Sequence, residues 1–237
     1  MTTCRLLPYA VADGPHNMAA DEILLEAACA GAASLRFYAW SEATVSLGYF
    51  QSHESRLAGL PWVRRQSGGM TLVHHHEITY ALALPAGAAW QGGEPWLRRM
   101  HRVITAALAE FGVCARLHDP PDLHPDTPLC FRHLTAGDLL VGGAKVGGSA
   151  QRKHGGALLQ HGGLLLRQSP HTPGLPGIRE LAGHDLSVGE TCAAIGRALA
   201  ADTGWDLVPG EWVPGEVART EELVALKYGR REWNEKR

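Results

Sequence analysis

No apolar run in the 237 residues approaches the roughly 18 needed to span a bilayer, so a membrane-spanning helix is not expected. Neither sign of charge dominates: 22 Lys and Arg stand against 24 Asp and Glu, a formal charge of −2. That balance excludes a nucleic-acid binder that relies on a strong overall basic field, but not a local basic patch. Cysteine is sparse and unpatterned. Cys4, Cys29, Cys114, Cys130 and Cys192 are odd in number, scattered and without a Cys-x-x-Cys pair. A disulfide framework and a zinc knuckle are both poor expectations from such a set. Residues 1–14 hold one Arg and no long apolar core, unlike a secretory leader, and a reducing cytoplasm is the expected setting. Repeats, low-complexity linkers, a Walker loop and a dinucleotide fingerprint are all missing.

With 45% hydrophobic and 19% charged residues, the chain has the composition of a soluble globular protein. No composition break divides it, so residues 1–237 read as one domain. Asn17 is expected to cap a helix whose first turn carries Asp21 and Glu22. Leu35 to Trp40 reads as a strand with Arg36 and Tyr38 on one face and Phe37 on the other. Thr44 to Gln51, Trp62 to Arg65 and Leu72 to Leu84 read as extended. Gly92 to Phe111 is the clearest helix, with Pro95 in its first turn and Leu97, Met100, Ile104, Ala107 and Leu108 on one face. A Pro-rich loop follows over His118 to Phe131. Asp138 to Val141 and Ala144 to Gln151 flank Gly142-Gly143 as a hairpin, and Gly156 to Leu166 is a further strand. Helices are expected over Leu186 to Ala201 and Glu216 to Tyr228. Strands and helices mix without a βαβ repeat, which indicates an α+β fold with a mainly antiparallel central sheet flanked by helices.

The 28 glycines and 13 histidines are the compositional excess, and several fall where chemistry is concentrated. Arg64-Arg65-Gln66-Ser67-Gly68-Gly69 joins forked cationic donors to glycines that let backbone approach a ligand. A tight hairpin with a basic rim fits the same residues about equally well. Gly143-Ala144-Lys145-Val146-Gly147-Gly148-Ser149-Ala150 sets one Lys among strand glycines, where it can face a developing oxyanion. A solvated hairpin Lys is the plainer alternative. Gln160-His161-Gly162-Gly163 is a third cluster, in which a satisfied structural His is the commoner case. Cys130 lies in irregular chain with Arg132, His133 and Lys145 as sources of positive charge, the setting that favours a thiolate nucleophile. Cys29, Cys114 and Cys192 read as small core residues, and Cys4 lies near the terminus. His74-His75-His76 cannot chelate a metal as a facial set, because adjacent strand residues point to opposite faces, and no metal is expected. His74 remains able to line a site with Gly68 and Gly69.

Taken in order, these pieces resemble the lipoate–protein ligase and octanoyltransferase family, related in fold to biotin–protein ligases. The resemblance runs through Asn17-Met-Ala-Ala-Asp-Glu, Leu35-Arg-Phe-Tyr-Ala-Trp, Thr44-Val-Ser-Leu-Gly-Tyr-Phe-Gln, the Arg64 to Gly69 cluster with His74 and Glu77-Ile-Thr-Tyr, the Lys145 cluster, Leu159-Gln-His-Gly, and the closing Lys227-Tyr-Gly with Glu232-Trp-Asn. It implies a biotin/lipoate ligase-like, class II synthetase-like catalytic domain. Within the family, the branch that places Cys before the Lys motif and follows it with Phe matches Cys130-Phe131, fifteen positions ahead of Lys145. That branch transfers octanoate from acyl carrier protein to a carrier-domain lysine through a Cys thioester. The alternatives are an ATP-dependent lipoate ligase working through an adenylate and an amidotransferase that moves octanoyl between carrier domains.

What the resemblance implies can be stated residue by residue. Cys130 would be the nucleophile and Lys145 would polarise the acyl carbonyl. Arg65, Ser67, Gly68, Gly69, His74, Gly147, Gly148, Ser149, Ala150, Gln160 and His161 would bind substrate. His74 or a water would take the amine proton, and strands around Leu72, Val73 and Val146 would form the acyl tunnel. No cofactor is expected; ATP and Mg belong only to the ligase alternative. The expected partners are octanoyl-acyl carrier protein as donor and a lipoyl carrier domain such as the glycine-cleavage H protein as acceptor, met by Arg64, Arg65, Arg152 and Lys153. Neither nucleic acid nor membrane is expected. Two departures stand out: Met70 where Gly or Arg is commoner, and Gly163 where Ser or Thr is commoner.

Overall fold

The computed structural model describes residues 2–87 and 93–237. The start of the expected helix at Gly92 lies outside the described residues. The strands are β1 (Thr3–Leu6), β2 (Ala10–Ala12), β3 (Ala33–Trp40), β4 (Thr44–Leu47), β5 (Trp62–Arg64), β6 (Leu72–His74), β7 (Glu77–Leu84), β8 (Ala115–Leu117), β9 (Leu139–Val141), β10 (Ala144–His154), β11 (Ala157–Leu165) and β12 (Asp206–Pro209). The large sheet runs β12-β1-β3-β7-β11-β10-β9-β8, with β2 also pairing β3. From β3 through β8 each neighbouring pair is antiparallel. The parallel additions β12, β1 and β2 gather at the other edge. A small sheet, β5-β4-β6, stands apart from it.

Both faces of the large sheet are covered. On one, helix Trp96–Ala109 buries Met100, Val103, Ile104, Ala107 and Leu108 against Leu35, Phe37, Ile78 and Leu82. Full burial of each large side chain contributes about 1.5–3 kcal/mol. Helix Val188–Thr203 joins this layer through Ala194, Ile195 and Leu199. On the other face lies α1 (Gly14–Cys29), whose Met18, Ile23, Leu24 and Leu25 pack on Tyr38, Ala81, Ala83 and Leu159. The C-terminal helix Pro214–Leu223 and the π turn Val224–Tyr228 close over α1 through Leu223 and Tyr228.

Several local expectations are corrected. Asn17 does not cap α1. Asp13 does, accepting from the His16 amide at 2.9 Å, with Pro15 in the first turn. Asn17 lies a turn inside, fully buried, donating to the carbonyls of Ala12 and Ala39. Leu72 to Leu84 is two strands in two sheets, because the backbone reverses at His76, where φ is +51°. The strand from Thr44 ends at Leu47, before Gly48. Pro95 is the N-cap of its helix rather than a first-turn residue. The expected final helix stops at Leu223 and widens into the π turn. Cys29 and Cys114 are exposed, whereas Cys4 is fully buried in the core.

Candidate active site

The α1 face of the large sheet carries two adjacent rows of small and polar residues. Tyr38, Thr79, Gly163 and Gly148 stand opposite one another across β3, β7, β11 and β10. Ala81, His161 and Ala150 form the next row. Opposite this floor stand Ser46 of β4, Leu72 and His74 of β6, and Arg65 just beyond β5. The gap is a cavity of about 470 Å³ including its open mouth, and Met18, Trp40, Gly69 and Cys130 complete its lining. Side chains at these glycines would crowd their neighbours. A Cβ on Gly148 would lie 2.8 Å from Lys145 Cε, and one on Gly163 would lie 3.1 Å from both carboxylate oxygens of Glu77. A Cβ on Gly48 would lie 1.9 Å from the Gly69 carbonyl oxygen, so the loop bearing Gly68 and Gly69 rests directly on Gly48.

Cys130 reaches this cavity from the Pro-rich segment. Its amide donates to Thr71 O at 2.8 Å, while the Thr71 amide donates to Pro128 O at 3.0 Å. This two-way clip holds irregular chain against the glycine loop. Cys130 is half-buried, and Phe131 beside it is buried beneath Lys145, whose Nζ is 5.5 Å from the ring centroid. Lys145 enters from β10 through the tight Gly142-Gly143 turn, where φ is +56° and +86°. Its Nζ lies 2.6 Å from Asp138 Oδ2, 3.1 Å from His133 O, 3.4 Å from Cys130 O and 4.0 Å from Cys130 Sγ. The buried ammonium is thus fixed by its partners at van der Waals range from the sulfur.

Arg65 supplies a second cation. It is buried, and its guanidinium donates to Ser46 O, Ser46 Oγ, Gly68 O and Met70 O at 2.8–3.1 Å. Burial pulls its pKa below the ordinary arginine value, and the Cys130 sulfur pulls it back up. The other cysteines lack such a setting. Burial pushes the Cys4 and Cys192 thiols up to about 12.

Two histidines in the wall are wired to carboxylates. His161 Nδ1 is 2.7 Å from Asp21 Oδ2, and its Nε2 is 2.5 Å from Ser67 Oγ. Asp21 also accepts from Arg36 Nε and Tyr38 OH, both at 3.0 Å. Burial alone would raise the Asp21 pKa, but Arg36, His161 and Tyr38 outweigh it and hold the carboxyl below its usual range. An ionised Asp21 only accepts, so His161 donates from Nδ1 and keeps Nε2 as the acceptor of the Ser67 proton. His74 repeats the pattern, with Nδ1 2.7 Å from Glu77 Oε1, Nε2 2.7 Å from Ser46 Oγ, and its ring stacked 3.8 Å from Trp40.

Other expected residues face elsewhere. Gln160 points to the opposite face of the sheet, where its Nε2 donates to Tyr80 OH and its Oε1 accepts from Gln151. The Ser149 hydroxyl lies on that face too, within 2.5–2.6 Å of His101 Nε2 and Tyr80 OH, so that residue borders the cavity through its backbone. Burial lowers the His101 pKa and pushes Tyr80 up to about 12, which keeps this network neutral. Gly147 packs on Leu139 away from the cavity. Ser67 stands behind His161, and Gly68 lies on the outer loop. Val73 and Val146 belong to separate apolar clusters and build no tunnel; Met18, Trp40 and Leu72 supply the apolar wall. Arg64 and Arg65 are buried and cannot meet a partner, whereas Arg152 is exposed. Asp21 and Asp138 were missed as site residues. A buried Arg36 in an apolar strand is the signal that demands a carboxylate nearby. His75 and His76 stack 3.6 Å apart outside the cavity.

A model of the lipoyl protein ligase A/B catalytic domain matches residues 13–172. The chain is 34% identical to the octanoyltransferase LipM of Symbiobacterium thermophilum over 98% of each chain. It is 32% identical to that of Moorella thermoacetica over 99% of this chain and 98% of the other. Among solved structures, a lipoate-protein ligase A bound with ATP superposes with a TM-score of 0.83 at 22% identity, covering 99% of both chains. A bi-partite lipoate protein ligase from Thermoplasma acidophilum gives 0.78 at 20% identity, covering 99% of this chain and 97% of the other. At such identities the solved structures support the fold, and the closer sequence relatives bear on the reaction.

Proposed function

The chain belongs to the lipoyl protein ligase A/B catalytic domain family, and we propose that it is an octanoyltransferase working through a thioester on Cys130. The donor is octanoyl-acyl carrier protein and the acceptor is a lysine of a lipoyl carrier domain, such as the glycine-cleavage H protein. The observation that carries this reading is the placement of Cys130 in the cavity wall, 4.0 Å from the ammonium of Lys145 and within the field of Arg65.

In the first half-reaction the Cys130 thiolate attacks the octanoyl thioester carbonyl. Negative charge moves to the carbonyl oxygen, where Lys145 stabilises it. Collapse expels the donor thiolate and leaves octanoyl on Cys130. Exchange of one thioester for another is nearly isoenergetic, and amide formation is downhill, so no ATP is consumed. The acceptor amine must shed a proton before it attacks. His161 is placed for that task, because it lines the cavity and Asp21 fixes its tautomer with Nε2 as the acceptor. Amine attack then forms the amide and returns the sulfur as thiolate. Met18, Trp40 and Leu72 offer the alkyl chain an apolar wall, and burial contributes about 0.8 kcal/mol per CH₂.

The test is the intact mass of the protein after mixing with octanoyl-acyl carrier protein in the absence of ATP. The expected result is one added octanoyl group that hydroxylamine removes, absent in Cys130→Ser. An unmodified protein whose acyl transfer demands ATP would sink the reading in favour of adenylate chemistry.

A further inference from the structure

The chain carries a formal charge of −2, yet cations gather beside the cavity mouth. Arg152 lies two residues beyond the cavity residue Ala150 on β10, hence on the same face, and its guanidinium is 5.8 Å from the Tyr49 ring centroid. Lys236 Nζ sits 3.5 Å from the Tyr49 ring and 3.3 Å from the Trp233 ring. The Arg237 guanidinium lies 5.3 Å from Tyr49 and 5.4 Å from Phe50. Phe50 is 71% exposed and flanks Gly68, so the rings border the loop that carries Gly69 into the cavity wall.

Among the described residues, Arg152, Lys236 and Arg237 make no ion pair through their side chains, whereas nearby Lys227 is matched by Glu22 at 2.5 Å. Arg64, fully buried behind them, spends its side-chain donors on carbonyls of Gly48, Tyr49, Gln51 and Asn234 and leaves one NH₂ group unpaired. Burial, followed by the fields of Arg64, Lys227, Arg237 and Arg152, pulls the Lys236 pKa down to about 8. A solvated charge run would spread its cations into water. Here segments distant in sequence stack them on aromatic rings, a composition that recurs at the centres of protein interfaces. Mutual repulsion of such a cluster is relieved by an acidic partner, which also gains faster encounter.

We propose that Tyr49, Phe50, Arg152, Lys236 and Arg237 form the docking surface for a carboxylate-rich carrier domain that delivers the octanoyl group to Cys130. The inference rests on the octanoyl-transfer reading above and assigns the partner's place beside the mouth. The carrier's acidic face meets the cations while its acylated arm enters past Gly69.

The experiment compares two donors, octanoyl-acyl carrier protein and octanoyl-pantetheine, on the full chain with Arg152→Glu, Lys236→Glu and both together. With the protein donor at low salt, kcat/KM is expected to fall about tenfold for the double variant, chiefly through KM, and the deficit to shrink as salt rises. With octanoyl-pantetheine the rate is expected to stay within about twofold of the parent, since no carrier surface is present. An equal fall with both donors would overturn the proposal, since the cluster would then be acting on the cavity. So would an unchanged KM for the protein donor, or a rise confined to the acceptor's KM. If the parent protein takes octanoyl from neither donor, it is the transfer reading itself that fails, and the docking surface with it.

Discussion

Asp21 is the residue on which most of the buried polar wiring converges. Its two oxygens receive Arg36, Tyr38 and His161 in a fully buried setting. Replacing it with Asn strands the Arg36 guanidinium without a counter-charge and frees His161 to turn. Asp21→Asn is expected to cost about 3–5 kcal/mol in urea unfolding at pH 7, the usual penalty for breaking a buried pair. The sign of the pH dependence follows from the depressed carboxyl. Its stabilisation is complete above the ordinary value of about 3.9 and is lost as pH falls through the lower folded value, so the gap between parent and variant should close in acid. A gap that stays constant across that window would show that the carboxylate charge is not what Asp21 contributes.

At the scale of elements, the site depends on strands that come close because their side chains are missing. Gly148 and Gly163 face each other across β10 and β11, and both border the cavity. Behind Gly163, Glu77 Oε2 is buried with no hydrogen-bond partner. Gly163→Ser would place a Cβ 3.1 Å from the Glu77 carboxylate and a hydroxyl where that oxygen lacks a donor. The variant should fold and lose cavity depth. Its preference is expected to move from eight carbons toward six, by about fourfold per CH₂, as read from kcat/KM across hexanoyl, octanoyl and decanoyl donors. An unchanged chain-length profile would place the acyl chain elsewhere. The same scale explains Leu72 to Leu84. Its alternation and β-branched residues read as extended chain, and each half is. The positive φ at His76, uncommon for a residue other than glycine, divides the two halves between separate sheets. That division creates the cavity.

At the scale of the whole molecule, the end of the chain secures the strand that leads into the site. Asn234 Oδ1 accepts from the Arg64 amide at 2.7 Å, its carbonyl accepts from Arg64 Nε at 2.9 Å, and its side chain donates to Tyr228 O and Arg230 O. Trp233 Nε1 donates to Arg64 O at 2.8 Å. Asn234→Ala leaves buried backbone groups unpaired, at about 1–3 kcal/mol. At about 2–4 °C per kcal/mol for a chain of this size, the melting temperature is expected to fall by roughly 2–12 °C. An unchanged melting temperature would mean that Trp233 and the Asn234 carbonyl hold the clasp unaided. Through the same segment Lys236 reaches Tyr49, so one clasp supports both the site strand and the proposed docking surface.

The α+β class, the long helix carrying Met100 to Leu108, the Gly142-Gly143 hairpin and the pairing of Cys130 with Lys145 were legible in the sequence, because each is written in local periodicity, turn chemistry or an ordered motif. Which side of a strand meets which neighbour was not. Gln160 and His161 are adjacent in the chain, yet only His161 reaches the cavity, because successive strand residues face opposite sides. Arg64 and Arg65 look like a basic rim in sequence, but tertiary structure buries both and spends their donors on carbonyls. Most elements and the inventory of reactive groups are written locally, since they depend on near neighbours and residue chemistry. That Asp21 serves His161, that Asp138 anchors Lys145 and that the cations collect around Tyr49 emerges only from the folded chain. Burial and charge pairing join residues far apart in the chain, and no local pattern encodes those distances.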